Sequence, residues 1–203
     1  MDVGATIYMR KAGALALIIT VIACLLISSG RAWAAAEELR GPNVKVLDKS
    51  IVVSASLKLS EQQSEEIRKG VGKVLVFYID LFRDWGRWPD EFVLGKKISR
   101  TLHCDPVKNE YFVLSQENDG NIQRKRFSDC DKLLAYSLYV NDVQLTNIPE
   151  LEEAEYFVRA KVESRIRQLP PFIDVLFFFV KEHEFQLVND SPSFPLKPVE
   201  RKP

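Results

Sequence analysis

Histidine occurs only twice in this sequence, at His103 and His183, and no Gly-x-Ser-x-Gly turn accompanies either. A hydrolase needs a nucleophile, a base and a group that orients the base, so the parts of that machinery are missing. Glycine-rich phosphate cradles are missing too. Gly70-Val71-Gly72 has neither the further glycine nor the lysine-threonine ending that such loops use. Charge of one sign is not in excess: 28 basic and 28 acidic residues leave no basic footprint for nucleic acid. No internal repeat is visible. These absences predict a protein that is not an enzyme, uses no cofactor and does not bind nucleic acid.

Metal-ligand clusters are equally thin. His103-Cys104-Asp105 and Glu182-His183-Glu184 place ligand types side by side, but adjacent residues of a strand point to opposite faces and do not converge on one ion. No metal site is expected from either. Cysteine is scarce, at Cys24, Cys104 and Cys130. In an oxidising compartment Cys104 and Cys130 can form a disulfide, and closing a loop of 26 positions would stabilise by roughly 3–4 kcal/mol in the chain-entropy model. Two separately buried thiols are the other reading, since spacing alone does not place the Cβ atoms.

What is present begins at the N-terminus. Arg10 and Lys11 precede sixteen residues, 12–27, without a charge, and Ser28, Ser29, Gly30 and Arg31 then break the run. Ala32-Trp33-Ala34 follows with small residues two apart, the pattern a signal peptidase cuts, so residues 1–34 read as an export signal cleaved after Ala34. Two alternatives remain. An uncleaved anchor would leave residues 12–27 in the membrane, although sixteen residues fall slightly short of the roughly 20 that span a bilayer. Lipidation at Cys24 would use Val21-Ile22-Ala23-Cys24, although Leu25, Leu26 and Ile27 continue the apolar run past the cysteine. Each route delivers the protein to the periplasm or the outer face of the inner membrane. Removing residues 1–34 takes away Arg10, Lys11 and Arg31 against Asp2, and leaves 169 residues with 25 basic and 27 acidic groups. That length suits one domain with a real hydrophobic core.

Residues 35–50 mix charge with Gly41 and Pro42 and read as a linker, so the domain is expected over 51–190. Residues 51–59 alternate with Ile51, Val53, Ala55, Leu57 and Leu59 on one face, the pattern of a half-buried strand. Ser60 follows as an N-cap, and a short polar helix should stop at Gly70 and Gly72. Residues 74–82 are apolar almost throughout and read as a central strand covered on both faces, with Asp80 as the exception. Asp80 can be a buried acid with a raised pKa, as catalytic carboxylates often are, or be accommodated by a bulge or a salt bridge to an arginine. Residues 92–104 resume an extended pattern, with Ile98, Leu102 and Cys104 on one face and Ser99, Thr101 and His103 on the other.

Residues 111–114 and 122–127 flank Asn118-Asp119-Gly120 and predict a hairpin, because an Asp-Gly turn supplies the positive φ values. Ser128 with Asp131 resembles a capping box for a second helix ending near Asn141. The clearest pattern is a long strand over 156–166, with Tyr156, Val158, Ala160 and Val162 on one face and Arg159, Lys161, Glu163 and Arg165 on a wet one. Residues 172–180 are almost wholly apolar and fit a buried helix or a core strand, and 185–188 a last strand. The tail 191–203 carries four prolines and no period, and reads as flexible. The sum is an α+β or mainly β domain: antiparallel sheet or sandwich with two or three short helices.

One segment concentrates the residue types enriched where proteins meet partners: Arg83, Trp85, Arg87 and Trp88. It marks a candidate surface for another envelope protein, unless the indoles fold back over the core end. Phe177, Phe178 and Phe179 raise the parallel possibility of an apolar ligand, against ordinary core packing. The order of elements, namely the signal, the strand and helix over 51–70, the 83–90 segment, the capped helix over 127–138 and the strand ending at Leu169-Pro170, resembles the bacterial domain-of-unknown-function family DUF4390. The resemblance implies an exported envelope protein and assigns no activity, cofactor or catalytic residue.

Overall fold

A computed structural model describes residues 36–47, 50–148, 151–166 and 184–196, all within one unit spanning 35–203. The expectations for residues 1–34 with Cys24, for Phe177, Phe178 and Phe179, and for His183 lie outside the described residues.

Among the described residues the molecule is mainly β, with two antiparallel sheets and two short helices. Ten strands follow in chain order: β1 (Glu38–Val46), β2 (Ser50–Lys58), β3 (Lys73–Asp84), β4 (Glu91–Asp105), β5 (Glu110–Glu117), β6 (Gln123–Arg126), β7 (Tyr139–Asn147), β8 (Ala154–Ile166), β9 (Phe185–Asp190) and β10 (Phe194–Leu196). Helix α1 (Glu61–Arg68) joins β2 to β3, and α2 (Cys130–Ser137) joins β6 to β7. The smaller sheet has the order β1-β2-β7, and the larger runs β10-β8-β3-β4-β5-β6, with β9 paired to the same edge of β8 as β10.

Alternation explains the layering. Ile51, Val53, Ala55 and Leu57 of β2 turn to one core together with Leu75, Phe77, Ile79 and Leu81 of β3 and Val158, Ala160 and Val162 of β8. Burial of such apolar faces is the main driving force for joining the two sheets. Ser60 caps α1 by accepting from the Gln63 amide, and α1 buries only Ile67. Gly70 (φ +97°) ends it, in a conformation that L side chains rarely adopt. Cys104 at the end of β4 is disulfide-bonded to Cys130 at the start of α2, their Cα atoms 5.8 Å apart, which fastens the helix to the large sheet.

Several sequence expectations are corrected. Residues 35–50 hold β1 and the start of β2 rather than a linker; a bulge between Arg40 and Asn43 absorbs Gly41 and Pro42, which disguised the strand. The 191–203 tail was expected to be flexible, yet it contributes β10, whose Phe194 and Leu196 pair with Tyr156 and Ala154. The cap of α2 is Asp129, not Ser128: its side chain accepts from the Lys132 amide, while the Ser128 hydroxyl donates to Asp129. The helix stops before Tyr139, and β7 takes over the residues expected at its end.

In the β5–β6 turn the positive φ values fall on Asn118 and Asp119, one residue earlier than the Asp-Gly pair suggested. Strand β3 is central, but only its inner face is uniformly covered; Tyr78, Asp80 and Phe82 are half-exposed on the other. The outer face of β8, expected to be wet, is partly sealed, with Phe157 and Glu163 buried. Cationic groups lie over rings there: the Arg159 guanidinium over Phe82 and Phe157, the Lys161 ammonium over Tyr78.

Candidate functional site

Strands β3 and β4 are the longest paired neighbours that share one hairpin, and their connection, residues 85–90, carries the Arg/Trp segment. The turn is built locally. Asp84 accepts the Gly86 amide at 2.8 Å, the Arg87 amide donates to the Trp85 carbonyl at 2.6 Å, and Gly86 supplies φ +65°. The other Asp84 oxygen accepts from the Ser193 hydroxyl at 2.8 Å, tying the turn to the segment ahead of β10. The Ser193 hydroxyl first, and the Gly86 amide second, hold the Asp84 carboxyl below its ordinary range.

Arg83 and Trp85 act as a pair. The guanidinium centre sits 4.1 Å from the indole centre, and Arg83 also donates to Glu152 at 2.7 Å. The indole Nε1 of Trp85 donates to Glu91 at 3.3 Å. Trp85 is therefore held from two sides while 46 % exposed, and Trp88 beyond it is 77 % exposed. Arg87 is exposed between them. The indoles thus do not fold back over the core end.

The structure adds three rings that sequence reasoning missed. Phe92, 57 % exposed, meets Phe82 edge-on at 5.7 Å, and Phe82 stacks on Phe157 at 5.4 Å. Arg159 covers both inner rings and is itself clamped by Asp190 through bonds of 2.8 and 2.7 Å. The signal lay in hairpin geometry: closing 82–92 as one turn sets Phe82 opposite Phe92, as the register shows. One end of the large sheet is thus a strip of aromatic rings interleaved with arginines. Single exposed rings are ordinary, but grouped ones mark contact surfaces.

The remaining sequence candidates are dispersed. Asp80 lies on the outer face between Gly95 of β4 and Arg159 of β8, and a Cβ at Gly95 would overlap its carboxylate. The expected arginine salt bridge is not made, because Asp190 holds Arg159; burial raises the Asp80 pKa, with Lys161 and Arg159 opposing. His103 stacks on Phe112 at 4.4 Å and approaches Glu110 at 3.9 Å. Among the described residues no group of three or more histidine, cysteine or acidic side chains is placed to hold a metal.

The family model described as "Domain of unknown function (DUF4390)" matches the chain over residues 34–190. No curated protein and no solved structure matches the chain. The matched span runs from the residues ahead of β1 to the end of β9 and includes the Arg/Trp turn and the disulfide; the chain belongs to the DUF4390 family.

Proposed function

We propose that this protein is an exported, non-catalytic envelope module that binds another envelope protein through the aromatic end of its large sheet. The observation that carries the reading is the exposure of Trp85, Trp88 and Phe92 beside Arg83 and Arg87. Tryptophan and arginine dominate the binding energy of protein interfaces because they bring large apolar area together with directional polar contacts. Trp85 is pre-ordered by Arg83 and Glu91, which reduces the side-chain entropy lost on association. Export is supported by the basic start, uncharged run and Ala32-Trp33-Ala34 exit of residues 1–34.

The test is a double variant, Trp85→Ala with Trp88→Ala, compared with wild type in purification from the native envelope fraction. Both indoles are surface groups, so the thermal midpoint should hold while a specific co-purifying polypeptide is lost. An unchanged set of associated proteins contradicts the reading.

A further inference from the structure

The two sheets meet on one side and part on the other. β1 lies against β9, and the Asn189 side-chain amide donates to the Gly41 carbonyl across that seam. On the opposite side β6 ends the larger sheet and β7 ends the smaller one, and no backbone ladder joins them among the described residues. A cleft opens between the two strands, with Gln123 of β6 on one bank and Val140, Asn141 and Val143 of β7 on the other.

The outer edge of β6 is left unpaired in a regular way. The Phe127 amide donates to the Tyr111 carbonyl at 2.9 Å, and the register sets Lys125 opposite Val113 and Gln123 opposite Ser115. Hydrogen-bonded pairs in an antiparallel ladder fall on every second residue, so 127, 125 and 123 bond to β5 while the amides and carbonyls of Arg124 and Arg126 turn outward. A free edge of this kind is a template for one more strand.

The side chains restrict what can pair there. All four residues of β6 are exposed, and three of them are cations, Arg124, Lys125 and Arg126. None of the three makes an ion pair among the described residues, while neighbouring acids are already engaged: Glu117 by Lys96 at 2.7 Å, Asp129 by Lys132 at 3.2 Å and Asp131 by Arg68 at 3.0 Å. Rings hold two of the cations instead. The Arg124 guanidinium lies 3.7 Å from the centre of the Phe112 ring, and the Lys125 ammonium 4.1 Å from the centre of the Tyr136 ring. Such stacking positions a cation without neutralising it, so the edge keeps its charge for a partner. A second copy of the chain would set the same cations against each other, and like charges directly opposite in a ladder are destabilising.

We propose that β6 is a docking edge for an extended, acidic segment of another protein, which adds as a further strand and places carboxylates opposite Arg124 and Arg126. The main chain of that segment takes up the outward amides and carbonyls of the two arginines. Its alternate side chains turn toward the cleft, where Val140 and Val143 favour apolar groups. Backbone pairing supplies affinity and charge complementarity selects the partner. This edge lies two strands beyond β4 in the larger sheet, so it is separate from the Arg/Trp turn and does not depend on it.

The experiment follows the backbone amide resonances of the full chain while the capped pentapeptide Val-Glu-Val-Glu-Val is added, against Val-Lys-Val-Lys-Val and against the acidic peptide with both glutamate amides N-methylated. Saturable shifts and slowed hydrogen exchange at the Arg124 and Arg126 amides are expected with the unmodified acidic peptide alone. Arg124→Gln with Arg126→Gln, both on exposed residues, should weaken that binding about tenfold at an unchanged thermal midpoint. Equal binding of the N-methylated peptide would mean charge attraction without strand addition, and shifts in β6 with phosphatidylglycerol vesicles but not with the peptide would mean a lipid contact. Either result, no saturable shift with the acidic peptide, or equal affinity in the double variant overturns the proposal.

Discussion

Lys73 opens β3 with its side chain fully buried, and its ammonium finds an acceptor for each proton: Gln63, Glu66 at 2.7 Å and Glu184 at 3.0 Å. The Ser164 hydroxyl satisfies the other Glu184 oxygen at 2.9 Å. Removing the cation strands two carboxylates, so Lys73→Ala should lose about 3 kcal/mol in denaturant unfolding at neutral pH. Lys73 holds the Glu66 carboxyl below its ordinary range, chiefly by hydrogen bonding. The stability tied to a lowered carboxyl exists above the ordinary carboxylate range and is lost as pH falls through the lowered value, so the penalty of the variant should shrink in acid. Asp80 has the opposite sign. Its raised pKa means that folding disfavours the ionised form, a cost present at neutral pH and relieved as pH falls. Asp80→Asn should therefore raise the thermal midpoint at pH 7, with the gain fading toward acid. The Asp80 reading as a buried acid of raised pKa was open in the sequence, because the residue interrupts an apolar strand, whereas the role of Lys73 was not. Lys73 looks like the flank of a strand, and its partners come from positions 63, 66 and 184, which only the fold brings together. Arg100, whose guanidinium donates to the Tyr136 and Ser137 carbonyls at the end of α2, was more accessible, since the alternation through Ile98, Leu102 and Cys104 already points it inward.

Among the elements, those with unbroken periods were legible and those with bulges were not. β2, α1, β3 and β8 show their alternation or caps directly. β7 hides because Asp142 sits at φ +50° and the register slips opposite Val53 and Ala55, spacing the apolar Val140, Val143 and Leu145 unevenly. β1 hides behind Gly41 and Pro42 for the same reason. The disulfide is the strongest single restraint on α2, which buries only Leu133, Leu134 and Ser137. Opening the 26-position link with Cys104→Ser and Cys130→Ser should cost about 3 kcal/mol in guanidinium unfolding. An unchanged midpoint in the double variant would show that packing alone holds α2 in place.

At the scale of the molecule, the two antiparallel sheets of the described residues share a hydrophobic core and leave the ends of the large sheet chemically distinct. The β3–β4 end carries Trp85, Trp88 and Phe92 among arginines, whereas the β4–β5 end exposes Val107 next to Asp105 and Lys108. The mainly β, antiparallel class was readable from strand count and patterning, and so were four residues of the aromatic end. Its inner rings were not, because Phe82, Phe92 and Phe157 come from three strands that meet only in the sheet. The most direct measurement of the interaction claim is photo-crosslinking in the native envelope from a benzophenone side chain at position 88, with position 107 at the opposite end of β4 as reference. The account predicts one dominant crosslinked polypeptide from position 88 that disappears with Trp85→Ala and is absent from position 107. The same products from both positions, or none from position 88, would contradict it.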